Sequence, residues 1–178
     1  RHPMHTPGDV ADARRKYETA DLRVGAILMA NNFNSHNREA EVLWVAEGVR
    51  IAAGLGAAVV RIDAAMTGQQ ELSFARRVEL FASAATDVLQ ATPELSMPLA
   101  IENHGLQGND PQWLRAVLDA VASPRLGLTL ETGNFYWAGM PLERVYETME
   151  RFAAEVKHVH SKNLAFEPER RDIDRELG

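Results

Sequence analysis

The chain has 178 residues, enough for one domain, and is 46% hydrophobic and 25% charged, so it can bury a core and stay in solution. Its net charge is −6 with no long basic run, which argues against a nucleic-acid surface, and the absence of cysteine excludes disulfides and thiolate metal sites. No apolar run reaches the roughly 18 residues of a membrane span, and the first residues lack an apolar signal-peptide core, so a cytoplasmic protein is the expectation.

The polar opening holds a short helical stretch, roughly Gly8 to Thr19, and "LRVGAILMA" (Leu22 to Ala30) is an apolar run expected to form the first strand. A polar loop follows, with Ser35 or Asn37 as the candidate helix cap. Val42, Val45, Val49 and Ala52 then recur at helical spacing until Gly54 or Gly56 ends the helix. "AAVVRID" (Ala57 to Asp63) is a buried strand. Phe74, Val78, Phe81, Ala85 and Val88 share one helical face, and Pro93 closes that helix. "PLAIEN" is the third strand, and Pro111 sits in the first turn of the next helix, where a missing N–H costs little. "RLGLTLE" (Arg125 to Glu131), the helix in "PLERVYETMERFA" and the strand "VKHVHSKN" (Val156 to Asn163) complete the series. The C-terminal "AFEPERRDIDRELG" is charged throughout, and both ends of the chain read as cut rather than finished.

Strand and helix thus alternate through five short apolar strands, the pattern of a parallel sheet covered by helices. Strand ends about 30 residues apart match the repeat of an eight-fold β/α barrel. A doubly wound open sheet competes with it, but would usually carry a glycine-rich turn after an early strand, and there is no G-x-G-x-x-G or P-loop. The expectation is an α/β fold of TIM-barrel type, one domain over residues 1–178.

In parallel β/α folds, function gathers at the C-terminal ends of the strands. Those ends carry Glu102, Glu131 and His160, at equal intervals in the sequence. Neighbouring parallel strands lie about 4.8 Å apart, so three equivalent ends can converge. Two carboxylates and an imidazole suit Mn²⁺, Mg²⁺, Co²⁺ or Zn²⁺. A lone glutamate at a strand end is more often a solvated residue, so the argument rests on the repetition. His160 is assigned to the interior of the barrel and His158 to its other side. His104 follows Glu102, with a plain loop hydrogen bond as its alternative.

"LAIENHG", "LGLTLETGNFYWAG", "VKHVHSKN" and "AEGVRIAAGLGAAVVRI" together resemble the sugar phosphate isomerase/epimerase superfamily, xylose isomerase-like TIM barrels related to family 2 AP endonucleases. The likeness runs from Leu22 to Asn163. It implies a divalent metal held by Glu102, by Glu131 where the family normally has Asp, and by His160. Asn134 stands where many members have a histidine. Lys162 matches the lysine of "H-x-K-D", and Asn163 replaces its Asp. On this register the chain supplies strands 3 to 7 of eight, a partial barrel of about five βα units, without the strand-8 glutamate.

The resemblance further implies isomerisation or epimerisation of a sugar or sugar phosphate through a metal-stabilised enediolate. Glu102 would be one of two proton-transfer carboxylates, and Lys162 would hold a substrate hydroxyl, carboxylate or phosphate. Arg61 is a candidate anion contact, with a surface salt bridge as its alternative. His104 and Asn134 are candidate substrate contacts, and Trp137 and Phe135 candidate walls for a sugar face, with ordinary packing as the alternative. A related dehydratase, of the inosose or dehydroshikimate type, is chemically close. A non-catalytic barrel fragment is the other alternative, and by itself this chain is expected to show no appreciable turnover. No nucleic-acid or membrane partner is expected. The open sheet edges invite pairing into a homo-oligomer.

Overall fold

The computed structural model describes residue 4 and residues 6–163; the charged C-terminal stretch lies outside these. Five strands form one sheet, each pairing in parallel with the next in chain order: β1 (Ala26–Leu28), β2 (Val59–Asp63), β3 (Leu99–Glu102), β4 (Leu126–Glu131) and β5 (Val156–His160). Helix α1 (Pro7–Thr19) precedes β1. The crossovers carry α2 (Arg38–Leu55), α3 (Phe74–Ala91), the single turn α4 (Gly105–Gly108) before α5 (Pro111–Val121), and the single turn α6 (Asn134–Trp137) before α7 (Leu142–Phe152). This is an α/β half-barrel of TIM type. Among the described residues, no helix is long and apolar enough to cross a membrane.

Local chemistry sets the boundaries. Asn37 caps α2 by accepting from the Ala40 N–H at 3.2 Å. Gly56 ends that helix at φ 74°, a left-handed conformation that costs a side-chain-bearing residue energy. Ser73 and Asp110 cap α3 and α5 in the same way as Asn37. β1 is shorter than the apolar run Leu22 to Ala30 predicts: among the described residues it is an edge strand that pairs only with β2, and Leu22 and Leu28 are exposed. β5 ends at His160 rather than Asn163.

The core lies between sheet and helices. Phe33, Phe81 and Trp113 are fully buried and meet edge to face, with ring centroids 5.1 and 5.0 Å apart. Ile62, Ile101 and Leu128 pack beneath them from the sheet's outer face.

Two features shape the concave face. Side chains on β5 reach β3, across the strand between them, so the sheet is strongly curled. The β4–β5 ladder also carries a bulge: Leu128 pairs with Val156, but Thr129 pairs with His158, so Lys157 is skipped. Glu131 then stands opposite His160, as Asp63 stands opposite Glu102.

Candidate functional site

The concave C-terminal rim gathers charged and polar side chains that the strands could not bury elsewhere. Glu102, at the end of β3, is 6% exposed and has both oxygens engaged. Its Oε2 accepts from Arg61 Nη2, and its Oε1 lies 2.7 Å from His160 Nδ1. Arg61 projects from β2 beside Asp63, whose Oδ2 is 3.4 Å from Nη2, and also donates to the Met29 carbonyl at 2.9 Å. Asp63 Oδ1 in turn lies 3.1 Å from His104 Nδ1. The result is a continuous run, His104–Asp63–Arg61–Glu102–His160, in which a basic group follows each acidic one.

Glu131, at the end of β4, is 2% exposed. Its Oε2 accepts from the Gly133 N–H at 3.2 Å and lies 3.5 Å from Lys162 Nζ. Its Oε1 is buried without a hydrogen-bond partner. Lys162 also donates to Asn134 Oδ1 at 3.1 Å. Its backbone is held by Thr132, whose Oγ1 accepts from the Lys162 N–H at 3.0 Å and donates to the Lys162 carbonyl at 3.2 Å.

Two asparagines extend the sheet by mimicking backbone. Asn103 Oδ1 accepts from the Glu131 N–H at 2.6 Å, and its Nδ2 donates to the Glu131 carbonyl at 3.1 Å. Asn31 does the same to Asp63, at 2.8 and 3.1 Å. Each fixes the backbone under a rim carboxylate after regular pairing has stopped.

The surroundings tune these groups. Burial lowers the pKa of Arg61, against the opposing pull of Asp63. Burial pushes the Asp63 carboxyl up, but the His104 bond, the Ala65 N–H and Arg61 outweigh it, so Asp63 sits below its ordinary value. His160 is lowered by burial first and then by Arg61; His158 is lowered by burial and then by His160.

The rim residues predicted from sequence fall into two adjoining groups: Glu102 and His160 with Arg61, and Glu131 with Lys162 and Asn134. His104 lies beside the first, through Asp63. Trp137 is half-buried in α6, whereas Phe135 is 1% exposed and belongs to the core, which removes it as a substrate wall. The assignment of His158 to the opposite side of the strand is corrected. Residues two apart on a strand share a face, and the His158 and His160 rings meet edge to face with centroids 5.0 Å apart. Asp63 was absent from the sequence-derived set, although it ends β2 as Glu102 ends β3, so the same strand-end rule finds it.

The family described as xylose isomerase-like TIM barrel matches residues 1–177. The chain belongs to that family. No curated protein matches it. Among solved structures, a D-tagatose 3-epimerase-like protein superposes with a TM-score of 0.71 at 18% identity, covering 87% of this chain and 61% of that one. The probable 3-DHS dehydratase AsbF involved in petrobactin synthesis, from Bacillus anthracis, gives 0.74 at 14% identity, covering 92% and 58%. The IOLI protein with a bound zinc atom gives 0.73 at 15%, covering 89% and 58%. At these identities the likeness is one of fold. This member of the xylose isomerase-like family spans about three fifths of the length of those structures.

The fold family raises the question of a metal, and the rim residues answer it in chemistry more than in arrangement. A buried carboxylate oxygen with no hydrogen-bond donor, Glu131 Oε1, lies on the same face as the Glu102–His160 pair. Such an atom is costly unless a cation or proton serves it. Oxygen and imidazole donors together suit a divalent ion. Among the described residues, however, no three His, Asp or Glu side chains close into a ligand cluster; Glu102 meets His160 and Arg61, and Glu131 meets Lys162.

Proposed function

We propose that this chain contributes one side of a metal-dependent sugar isomerase or epimerase centre, with Glu102, Glu131 and His160 as protein donors to a divalent ion (Mn²⁺, Mg²⁺, Co²⁺ or Zn²⁺). The observation that carries the reading is the buried Glu131 Oε1, which has no hydrogen-bond partner and lies on the same face of the sheet as the Glu102–His160 pair. When bound, the ion would supply Lewis-acid polarisation of adjacent oxygens on a hydroxy-ketone.

The chain's own residues do the rest. Glu102 would act as the general base that takes the proton from the carbon beside the carbonyl, which requires Arg61 to give up its Oε2. His160, bonded to Glu102 Oε1, fixes the carboxylate's orientation. Lys162, positioned by Asn134 and Glu131, binds a substrate hydroxyl, carboxylate or phosphate oxygen. His104 is held through Nδ1 by Asp63, which leaves Nε2 to meet a sugar hydroxyl. Trp137, at the end of α6, borders the sugar. The ligand class is a small sugar or sugar phosphate rather than nucleic acid.

Titration calorimetry with Mn²⁺ and Zn²⁺ tests this. The wild-type chain is expected to bind, and Glu131→Gln and His160→Ala to weaken binding by about 10-fold or more, equivalent to at least ~1.4 kcal/mol. Absence of binding by the folded wild type, or unchanged affinity in both variants, would reject the reading.

A further inference from the structure

We infer that Arg61 is the resident counter-cation of Glu102 and competes with a divalent ion for it. This rests on the proposed metal reading and adds a residue that sets how tightly the site takes its metal.

The Arg61 side chain is only 12% exposed, and its guanidinium is committed to the protein: to Glu102, to Asp63 and to the Met29 carbonyl. It stands in register with Ala100 on β3, whose methyl group leaves the concave face open for the longer side chain to cross toward Glu102. An arginine so placed is no free anion receptor. Its charge is already matched by carboxylates of its own chain.

The charge count then decides what the site accepts. Asp63, Glu102 and Glu131 face Arg61 and Lys162, which leaves one negative charge when the imidazoles are neutral. A divalent ion entering this arrangement would leave a net positive charge in a mostly buried site, and would share Glu102 with a guanidinium. Like charges at such separations repel strongly where water is excluded. Without the charge of Arg61, the same carboxylates against Lys162 leave two negative charges, equal and opposite to the ion. Metal entry therefore requires the guanidinium to give up Glu102, and the energy of that contact is subtracted from metal affinity.

The test compares the 178-residue wild type with Arg61→Met and Arg61→Lys by Mn²⁺ titration calorimetry. Thermal melts with and without Mn²⁺ serve as a second readout of the same affinity. Arg61→Met keeps much of the side chain's bulk and removes the charge; it is expected to bind Mn²⁺ about 10-fold tighter or more. Arg61→Lys keeps the charge but loses the planar fork that grips a carboxylate, and is expected to fall between. Should Arg61→Met fail to fold, the lysine variant decides alone. Wild type and variants binding equally, or variants binding more weakly, would overturn the role of Arg61 while leaving the metal reading intact. No binding by any of the three would overturn both.

Discussion

Asn103→Ala probes how the site is held. Asn103 is 1% exposed, and its amide makes two hydrogen bonds to the backbone of Glu131, at 2.6 and 3.1 Å. Truncation removes both and leaves nothing in their place, because the site is buried and follows the end of β3. Each such bond contributes about 0.5–1.5 kcal/mol net, and an orphaned buried partner raises the loss further, giving about 2–4 kcal/mol in total. For a chain of this size each kcal/mol corresponds to roughly 2–4 °C, so the melting temperature should fall by about 4–16 °C. Urea unfolding monitored by circular dichroism measures the free energy, and a thermal melt provides the check. Asn103→Asp keeps an acceptor for the Glu131 N–H but sets a carboxylate against the Glu131 carbonyl, so it should remain well below wild type. A loss under about 1 kcal/mol for Asn103→Ala would show that the Glu131 backbone needs no such clamp, and the account of the two asparagines would fail.

Asp63 has a folded pKa below its ordinary value, so its contribution to stability is complete above the unfolded value near 3.8 and is lost as pH falls through the folded one; Asp63→Asn should therefore flatten that part of the acid limb in a stability–pH profile, and an unchanged limb would contradict the His104–Asp63–Arg61 coupling. Proton exchange of a ketose in D₂O with Mn²⁺ should be negligible for the isolated chain, which spans about three fifths of the solved relatives; rapid exchange lost in Glu102→Gln would show that the second proton-transfer group lies within these residues. Among the described residues β5 is an edge of the sheet, with Val159 half exposed at 50%, so Val159→Lys should reduce concentration-dependent association in light scattering, and equal scattering would remove this edge as the contact.

The alternation of strand and helix was legible because hydrophobic period and capping chemistry are local, and so was the level in the fold at which Glu102, Glu131 and His160 would stand. What was hidden depends on the curl of the sheet. The Arg61–Glu102 contact joins neighbouring strands, but His160 to Glu102 skips β4, and no spacing in the sequence encodes that reach. Asn103 could be read as the residue after a strand, not as the clamp on Glu131. The length of β1 was overestimated because an apolar run does not reveal that a strand has a partner on one side only. His158 was misplaced by an error of strand parity.

The skipped residue in β5 has a consequence for changes of chain length. If β5 followed β4 without interruption from Leu128, Lys157 would stand opposite Thr129, and the concave face would receive Lys157 and Val159 in place of the two histidines. Deleting Lys157 would straighten the strand and leave His158 opposite Thr129. Deleting Val159 would turn His160 to the outer face and take it from Glu102. The strand can therefore lose a residue before His158 and keep its rim chemistry, but not between the two histidines.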